Sequence, residues 1–279
     1  MTIPDKTPPD PSSPEQQPAP DGAGSFSFRA SAPIGSHGWG SPLAAVKPRP
    51  WRAGDRVLGG DRPLIMGILN VTPDSFHDGG RHATIDRALR HAAAMLEAGA
   101  DIIDVGGESS RPGAESVPEA EELARTRPAV REIVKRFSCA VSIDTVKANV
   151  ARAALTEGAC IINDISAMTF DPMMLELPQA FRAGVVLNHI QGTPKDMQNA
   201  PAYSDAVADV AEFLKGRIQL LAALGVAKDR IAVDPGIGFG KRLQDNYRLI
   251  DRMEDLDALG CPILLGMSRK SFIGKTRGL

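Results

Sequence analysis

From about Trp51 onward, short runs that are apolar on both faces alternate with longer stretches of helical spacing. The apolar runs are 64–70, 101–106, 140–144, 160–165, 184–189, 231–234 and 262–267, rich in Ile, Val and Leu. Strands of that kind fit a parallel sheet covered by helices. Residues 118–136 predict the clearest helix. Pro118 fits its first turn, with Glu119, Glu121 and Glu122 at the start and Lys135 and Arg136 at the end, as the helix dipole favours. Five helical stretches stop at a glycine just before the next strand: Gly99, Gly158, Gly184, Gly225 and Gly260. A glycine there supplies the left-handed turn back to the sheet. The pattern predicts right-handed βα units.

The apolar runs also close in polar residues: I-L-N at Asn70, D-V-G-G-E-S at Glu108, S-I-D at Asp144, I-I-N-D at Asn163, A-V-D-P-G at Asp234 and L-G-M-S-R-K at Lys270. Functional groups repeated at strand ends point to one place in a closed parallel barrel, its carboxyl-terminal mouth. A doubly wound open sheet shares the local signals, but the spread of polar groups over so many strand ends favours an α/β fold of the (β/α)8 TIM-barrel type. Seven strands are recognisable and a barrel needs eight. Either the 51–63 region supplies one, with R-V-L-G as candidate, or the chain is C-terminally truncated.

Composition narrows the function. The chain is 279 residues, 43% hydrophobic and 24% charged, with a net charge of −2, so it carries no electrostatic footprint for nucleic acid. Cys139, Cys160 and Cys261 are odd in number and lack metal-ligand spacing, which predicts buried thiols in a reducing compartment. No apolar run approaches membrane-spanning length, and the first residues lack a secretory h-region, so the expected location is cytoplasmic. Residues 1–48 hold nearly half of the 22 prolines and are rich in Ser, Asp and Gln. Such a segment buries too little apolar surface to offset its ordering entropy and is expected to be a disordered tail. Residues 49–279 are then one barrel domain.

The motifs resemble those of the dihydropteroate synthases. M-G-I-L-N-V-T-P-D-S-F at 66–76 and D-V-G-G-E-S-S-R-P-G at 104–113 are similar to the first two signatures of that family. S-I-D-T at 142–145, I-N-D at 162–164, H-I-Q-G-T-P at 189–194, V-D-P-G-I-G-F-G-K at 233–241 and S-R-K at 268–270 follow in family order. The resemblance implies condensation of 6-hydroxymethyl-7,8-dihydropterin pyrophosphate with p-aminobenzoate, giving 7,8-dihydropteroate and pyrophosphate in folate biosynthesis. It also implies Mg2+ and a possible homodimer.

That chemistry assigns roles. A flat heterocycle with neighbouring donors suits Asp234, with Asp144, Asn163 and Asn188 on its other edges and Lys270 donating to ring acceptors. The diphosphate suits a magnesium held by Asn70, with Ser110 and Arg111 as added donors. Breaking the C–O bond leaves positive charge on the pterin methylene, which a carboxylate stabilises; Asp78 is the candidate, and Gly79 and Gly80 imply a closing loop. Asp74 is expected to hold the T-P-D-S turn. The ring of p-aminobenzoate is expected among Phe76, Pro112 and Phe239, its carboxylate at Ser271. Because the amine is neutral, His189 is expected to position groups at the edge of the site rather than act as a base. G-I-G-F-G at 236–240 lacks the dinucleotide spacing and predicts a tight turn.

The chain departs from the family pattern at three points. Asn188 stands where Met is usual, Ser110 where Thr is common, and His77 where Ser is usual. The family's eighth strand, with its Arg-x-His pair, has no counterpart. Two alternatives stay open: a catalytically impaired pterin-binding paralogue or fragment, and a methyltetrahydrofolate-dependent methyltransferase, which would not need S-S-R-P-G or S-R-K-S.

Overall fold

The computed structural model describes residues 48–71, 80–268 and 270. The expected tail lies outside them except for Pro48. The strands are β1 (Pro50–Ala53), β2 (Arg56–Gly59), β3 (Met66–Asn70), β4 (Ile102–Gly106), β5 (Ala140–Asp144), β6 (Ile161–Asp164), β7 (Gly184–Asn188) and β8 (Ile231–Asp234). The helices are α1 (Gly80–Glu97), α2 (Glu119–Arg136), α3 (Ala148–Thr156), α4 (Leu177–Ala180), α5 (Ala206–Ala223), α6 (Leu243–Asp251) and α7 (Met253–Asp257).

Strands β3 to β8 form one parallel sheet in sequence order. A doubly wound sheet reverses its strand order at a switch point; this sheet has no reversal. Its two faces differ. One side packs Leu69, Ile103, Val105, Ile143, Ile162, Leu187 and Val233 into the helix layer. On the other, Met66, Ile102, Ala140, Ile161, Val186, Ala232 and Leu264 meet in a single cluster. Residues of all six strands join that cluster, which marks this face as the interior side of the sheet. The seventh expected strand lies beside β8 but pairs less regularly. Val233 N–H donates to Pro262 O at 2.9 Å, Leu264 N–H donates to Val233 O at 2.8 Å, and Val233 bridges Ile263.

R-V-L-G is not a barrel strand. It is β2, paired antiparallel with β1 in a hairpin. The hairpin closes the amino-terminal end of the interior: Trp51 and Ala53 join the inner cluster, and Trp51 Nε1 donates to Arg230 O at 2.9 Å. Gly54 N–H donates to Arg182 O at 3.0 Å, and Arg230 returns a bond to Gly54 O at 3.1 Å. A tryptophan on a short strand thus supplies a plug rather than an edge.

Four of the five expected helix-ending glycines have positive φ: Gly99, Gly158, Gly225 and Gly260. Gly184 does not. It opens β7, where a Cβ would lie 2.9 Å from that of Ala53, so it is glycine for close packing under the plug. Arg182, at φ 52°, makes the left-handed turn instead. Helix α2 keeps its expected charge order, but Pro118 stands at the N-cap, one position ahead of the first turn.

Trp51 is 4% exposed. Replacing a buried large aromatic with alanine costs about 3–5 kcal/mol. Trp51→Ala is expected to lower the urea midpoint by a loss in that range. Trp51→Phe, which keeps most of the area and gives up the Nε1 bond, should lose only about 1 kcal/mol.

Candidate active site

Side chains alternate along a strand, so the residue two positions beyond each inner-cluster residue or its successor faces the upper interior. Those positions carry Asn70 on β3, Gly106 on β4, Asp144 on β5, Asn163 on β6, Asn188 on β7 and Asp234 on β8. Asn70 pairs with Gly106, Gly106 with Asp144, Asp144 with Asn163, and Asn188 with Asp234. Gly106 leaves a gap that its neighbours lean over. A Cβ there would lie 3.5 Å from Asp144 Oδ2 and 3.6 Å from Asn70 Oδ1.

The electrostatics follow from burial. Asp234 is 7% exposed, and burial pushes its pKa up to about 6; the Gly236 N–H, at 2.7 Å from Oδ1, and the charges of Lys270 and Lys241 pull the other way. Burial, then the fields of Asp104, Glu122, Asp164 and Glu108, hold Asp144 well above the usual carboxylate range. Burial lowers Lys270, while Asp234 and Asp144 both support its charge. Asp144, Asn163, Asp234 and Lys270 therefore share one end of the interior. Lys270 Nζ also sits 3.9 Å from the centroid of the Phe239 ring, a cation–π contact.

Asp104 was not expected to matter, yet it sits inside the barrel, 1% exposed. It accepts a 2.9 Å bond from Asn163 Nδ2. That bond fixes the Asn163 amide, leaving its oxygen and second N–H for the interior. An acid within the apolar run I-I-D-V-G was the available signal. Lys147, also missed, bonds both Glu108 and the 1%-exposed Glu122, tying the loop after β4 to α2. That loop carries Ser110, Arg111 and Pro112; Arg111 and Pro112 are exposed, and Gly113 N–H donates to Pro194 O at 3.0 Å.

Asn188 keeps its expected place, and His189 does not. Asn188 is 3% exposed and its Nδ2 donates to Ile165 O at 2.8 Å, so its buried amide has a partner. His189, one residue on, faces the helix layer instead of the site's edge. Its ring stands edge-on to Phe213 of α5, and Nδ1 is 2.9 Å from Lys241 Nζ. Burial and Lys241 push His189 down to about 3, so it is neutral. The G-I-G-F-G segment makes the expected tight turn, with Phe239 N–H donating to Gly236 O at 2.9 Å. Phe76, Asp78 and Ser271 lie outside the described residues.

Among the described residues no cluster of three or more His, Cys, Asp or Glu could hold a metal ion, and no helix is long and apolar enough to cross a membrane. What the arrangement offers is a row of carboxylates and amides at the strand ends, a lysine stacked on an aromatic ring, and a loop with Ser110 half-buried and Arg111 exposed.

Comparison with known proteins agrees with that description. Residues 66–279 match the model of the pterin binding enzyme family. Dihydropteroate synthase of Escherichia coli is 48% identical over 213 residues, 76% of this chain and 75% of that protein. The Synechocystis enzyme of the same name is 44% identical over 234 residues, 84% of this chain and 81% of that one. The structure of Xanthomonas albilineans dihydropteroate synthase with 4-aminobenzoic acid superposes with a TM-score of 0.76 at 44% identity, covering 83% of this chain and 82% of that chain.

The raised pKa of Asp234 predicts a stability signature. The folded state holds a proton on Asp234 between about pH 4 and 6 that the unfolded state has released, so stability from this group falls as pH rises through that window. Above pH 6 the ionised carboxylate destabilises the fold by on the order of 3 kcal/mol. Asp234→Asn keeps an acceptor for Gly236 N–H and removes the charge. Its denaturation midpoint is expected above that of the wild type at pH 8, with the advantage gone near pH 4.

Proposed function

The chain belongs to the pterin-binding enzyme family and is a dihydropteroate synthase of the α/β barrel type, and from that premise we propose how its strand ends carry the reaction. The enzyme joins 6-hydroxymethyl-7,8-dihydropterin pyrophosphate to p-aminobenzoate. The methylene C–O bond breaks and pyrophosphate leaves with the bonding pair. The amine nitrogen forms the new C–N bond and gives its proton to solvent, yielding 7,8-dihydropteroate.

In this reading Asp234 accepts the neighbouring N–H groups of the pterin's amino-pyrimidinone edge. Asn163, held by Asp104, and Asp144 meet its other edges, Lys270 donates to its ring acceptors, and Asn188 closes the slot beside Asp234. The raised pKa of Asp144 suits a group that can donate as well as accept. Each charge-assisted hydrogen bond contributes about 1.5–3 kcal/mol. The observation that carries the reading is the sharing of one interior end by Asp144, Asn163, Asp234 and Lys270.

Ser110 and Arg111, on the exposed loop, bind the diphosphate. Asn70, exposed at the mouth with its Oδ1 toward Gly106, is a hard oxygen donor beside that loop. Magnesium bound by phosphates keeps several waters and needs few protein ligands, so one asparagine oxygen fits it where a cage of acids would not be needed. When bound, Mg2+ neutralises charge on the leaving pyrophosphate. Asp78 stabilises the methylene cation. Phe76, Pro112 and Phe239 enclose the aromatic amine, and Ser271 meets its carboxylate. The tail at 1–48, the domain at 49–279, a homodimer and a cytoplasmic location complete the proposal.

Pyrophosphate release is expected to require both the pterin diphosphate and p-aminobenzoate; release at the same rate without the amine would sink the assignment. Asp234→Asn, which can no longer accept two donors, should lower kcat/KM about 100-fold or more, the equivalent of about 3–6 kcal/mol for two such bonds. Wild-type affinity for the pterin diphosphate, followed by calorimetry, should weaken as pH falls through about 6, where Asp234 takes up its proton.

A further inference from the structure

We infer that Lys241 is a positioning residue for the aromatic amine: its buried ammonium ties the carbonyl of Phe239 to His189 at the end of β7, and so sets the Phe239 ring beneath Lys270. The inference rests on the proposed reading of the site, in which Phe239 lies against p-aminobenzoate.

Three consecutive carbonyls of the loop after β8 are each held by a side chain. Gly238 O accepts from Gln198 Nε2 at 2.8 Å, and Gly240 O from Tyr203 Oη at 2.7 Å. Both of those donors belong to the segment after β7. The middle carbonyl, Phe239 O, turns inward and accepts from Lys241 Nζ at 3.0 Å. The same ammonium reaches His189 O at 3.2 Å and His189 Nδ1 at 2.9 Å. An ammonium has three donors and no acceptor; here each donor has an acceptor, provided His189 is neutral with its proton on Nε2. The low pKa of His189 keeps its ring neutral, and an ammonium facing Nδ1 leaves the ring proton on Nε2.

The loop backbone is built for this tie. Gly236 has φ +69°, and a Cβ there would lie 1.8 Å from His189 O; at Gly240, φ +61°, it would lie 2.4 Å from Gln191 O. Only glycine lets the two loops approach closely enough for one lysine to span them. Lys241 is 3% exposed, so it acts on a ligand through what it holds. What it holds is the peptide of Phe239, whose ring makes the 3.9 Å contact with Lys270 Nζ. Lys270 packs over the same turn, its Cδ 3.1 Å from where a Gly238 Cβ would stand. Without the ammonium, the part-buried Phe239 O loses its donor, and the loop is expected to shift to recover one.

Steady-state kinetics on Lys241→Met, Phe239→Ala and the double variant test the idea. Lys241→Met is expected to raise KM for p-aminobenzoate about tenfold, more than it raises KM for the pterin diphosphate. Because Lys241 acts through Phe239, the double variant should show a KM for p-aminobenzoate no higher than the worse single variant. A Lys241→Met enzyme whose p-aminobenzoate KM stays within about twofold while kcat falls would overturn the inference, as would effects that multiply in the double variant. If Lys241→Met gives no cooperative melt, Lys241→Gln, which keeps an N–H toward Phe239 O, takes its place with a smaller rise expected and the same overturning results. A wild-type enzyme that makes no pyrophosphate from the two substrates fails the functional reading itself, which separates the two failures.

Discussion

Strand register is the constraint on which the site depends. On each of β4, β5, β6, β7 and β8 an apolar residue faces the lower interior: Ile102, Ala140, Ile161, Val186 and Ala232. Moving up the same face by one or two pleats reaches Gly106, Asp144, Asn163, Asn188 and Asp234. The intervening residues, among them Val105, Ile143, Ile162, Leu187 and Val233, belong to the helix-facing core. A one-residue slip exchanges the two sets. It would bury carboxylates among leucines and leave the mouth of the barrel lined with valine and isoleucine. The apolar packing that stabilises the sheet is therefore the same restraint that aims the polar groups.

A polar layer at the end of an apolar interior has its own cost; hydrogen bonds and cations behind the site limit it, while the clustered acids add to it at Asp144. Asp104 lies below Asn163, Lys147 between Glu108 and Glu122, and Lys241 behind Asp234. Burial pulls Lys241 down to about 7 while Asp234 supports its charge. Isolated buried charges would cost several kcal/mol each; paired and hydrogen-bonded, they cost far less. Truncating one partner leaves the other uncompensated, which is why these supporting residues should be less tolerant of change than the exposed Arg111.

The barrel strands and their polar ends were legible because both are periodic, local features of the chain. Neighbouring strands share one register, so placing one strand end places the next. What was not legible depends on contacts between distant segments. R-V-L-G reads locally as a strand, and nothing local says that it pairs with 50–53 and plugs the barrel. Gly184 reads as a helix stop, but Ala53, distant in sequence, is what requires a glycine there. His189 ends a strand like the other polar residues, yet alternation turns it to the helix layer, where Lys241 occupies its Nδ1. Asp104 and Lys241 were hidden within motifs already quoted. Their signal was a charge in an apolar or glycine-rich context, which says that a partner exists without naming it.

The supporting contacts also divide the mouth of the barrel into a half tied by several side-chain bonds and a half whose loop tip is exposed. After β6, Ala167 and Met168 adopt positive φ, and Arg217 of α5 holds both of their carbonyls, at 2.7 and 3.0 Å. Asn188 bonds the same loop at Ile165 O, and Lys241 joins the loops after β7 and β8. The loop after β6 is thus tied to α5 and β7, and the loops after β7 and β8 to each other. The loop after β4 is anchored at its base by Lys147, but its tip at Arg111 and Pro112 is exposed. A cross-linked half suits the reading of a flat heterocycle, whose hydrogen bonds are lost with small displacements. An exposed half suits a diphosphate that must enter with its counter-ion and leave as product. Asn188 belongs to the cross-linked half: where an apolar residue would only fill space, its amide adds one more tie between β7 and the loop after β6, and its Nδ2 is not left without an acceptor.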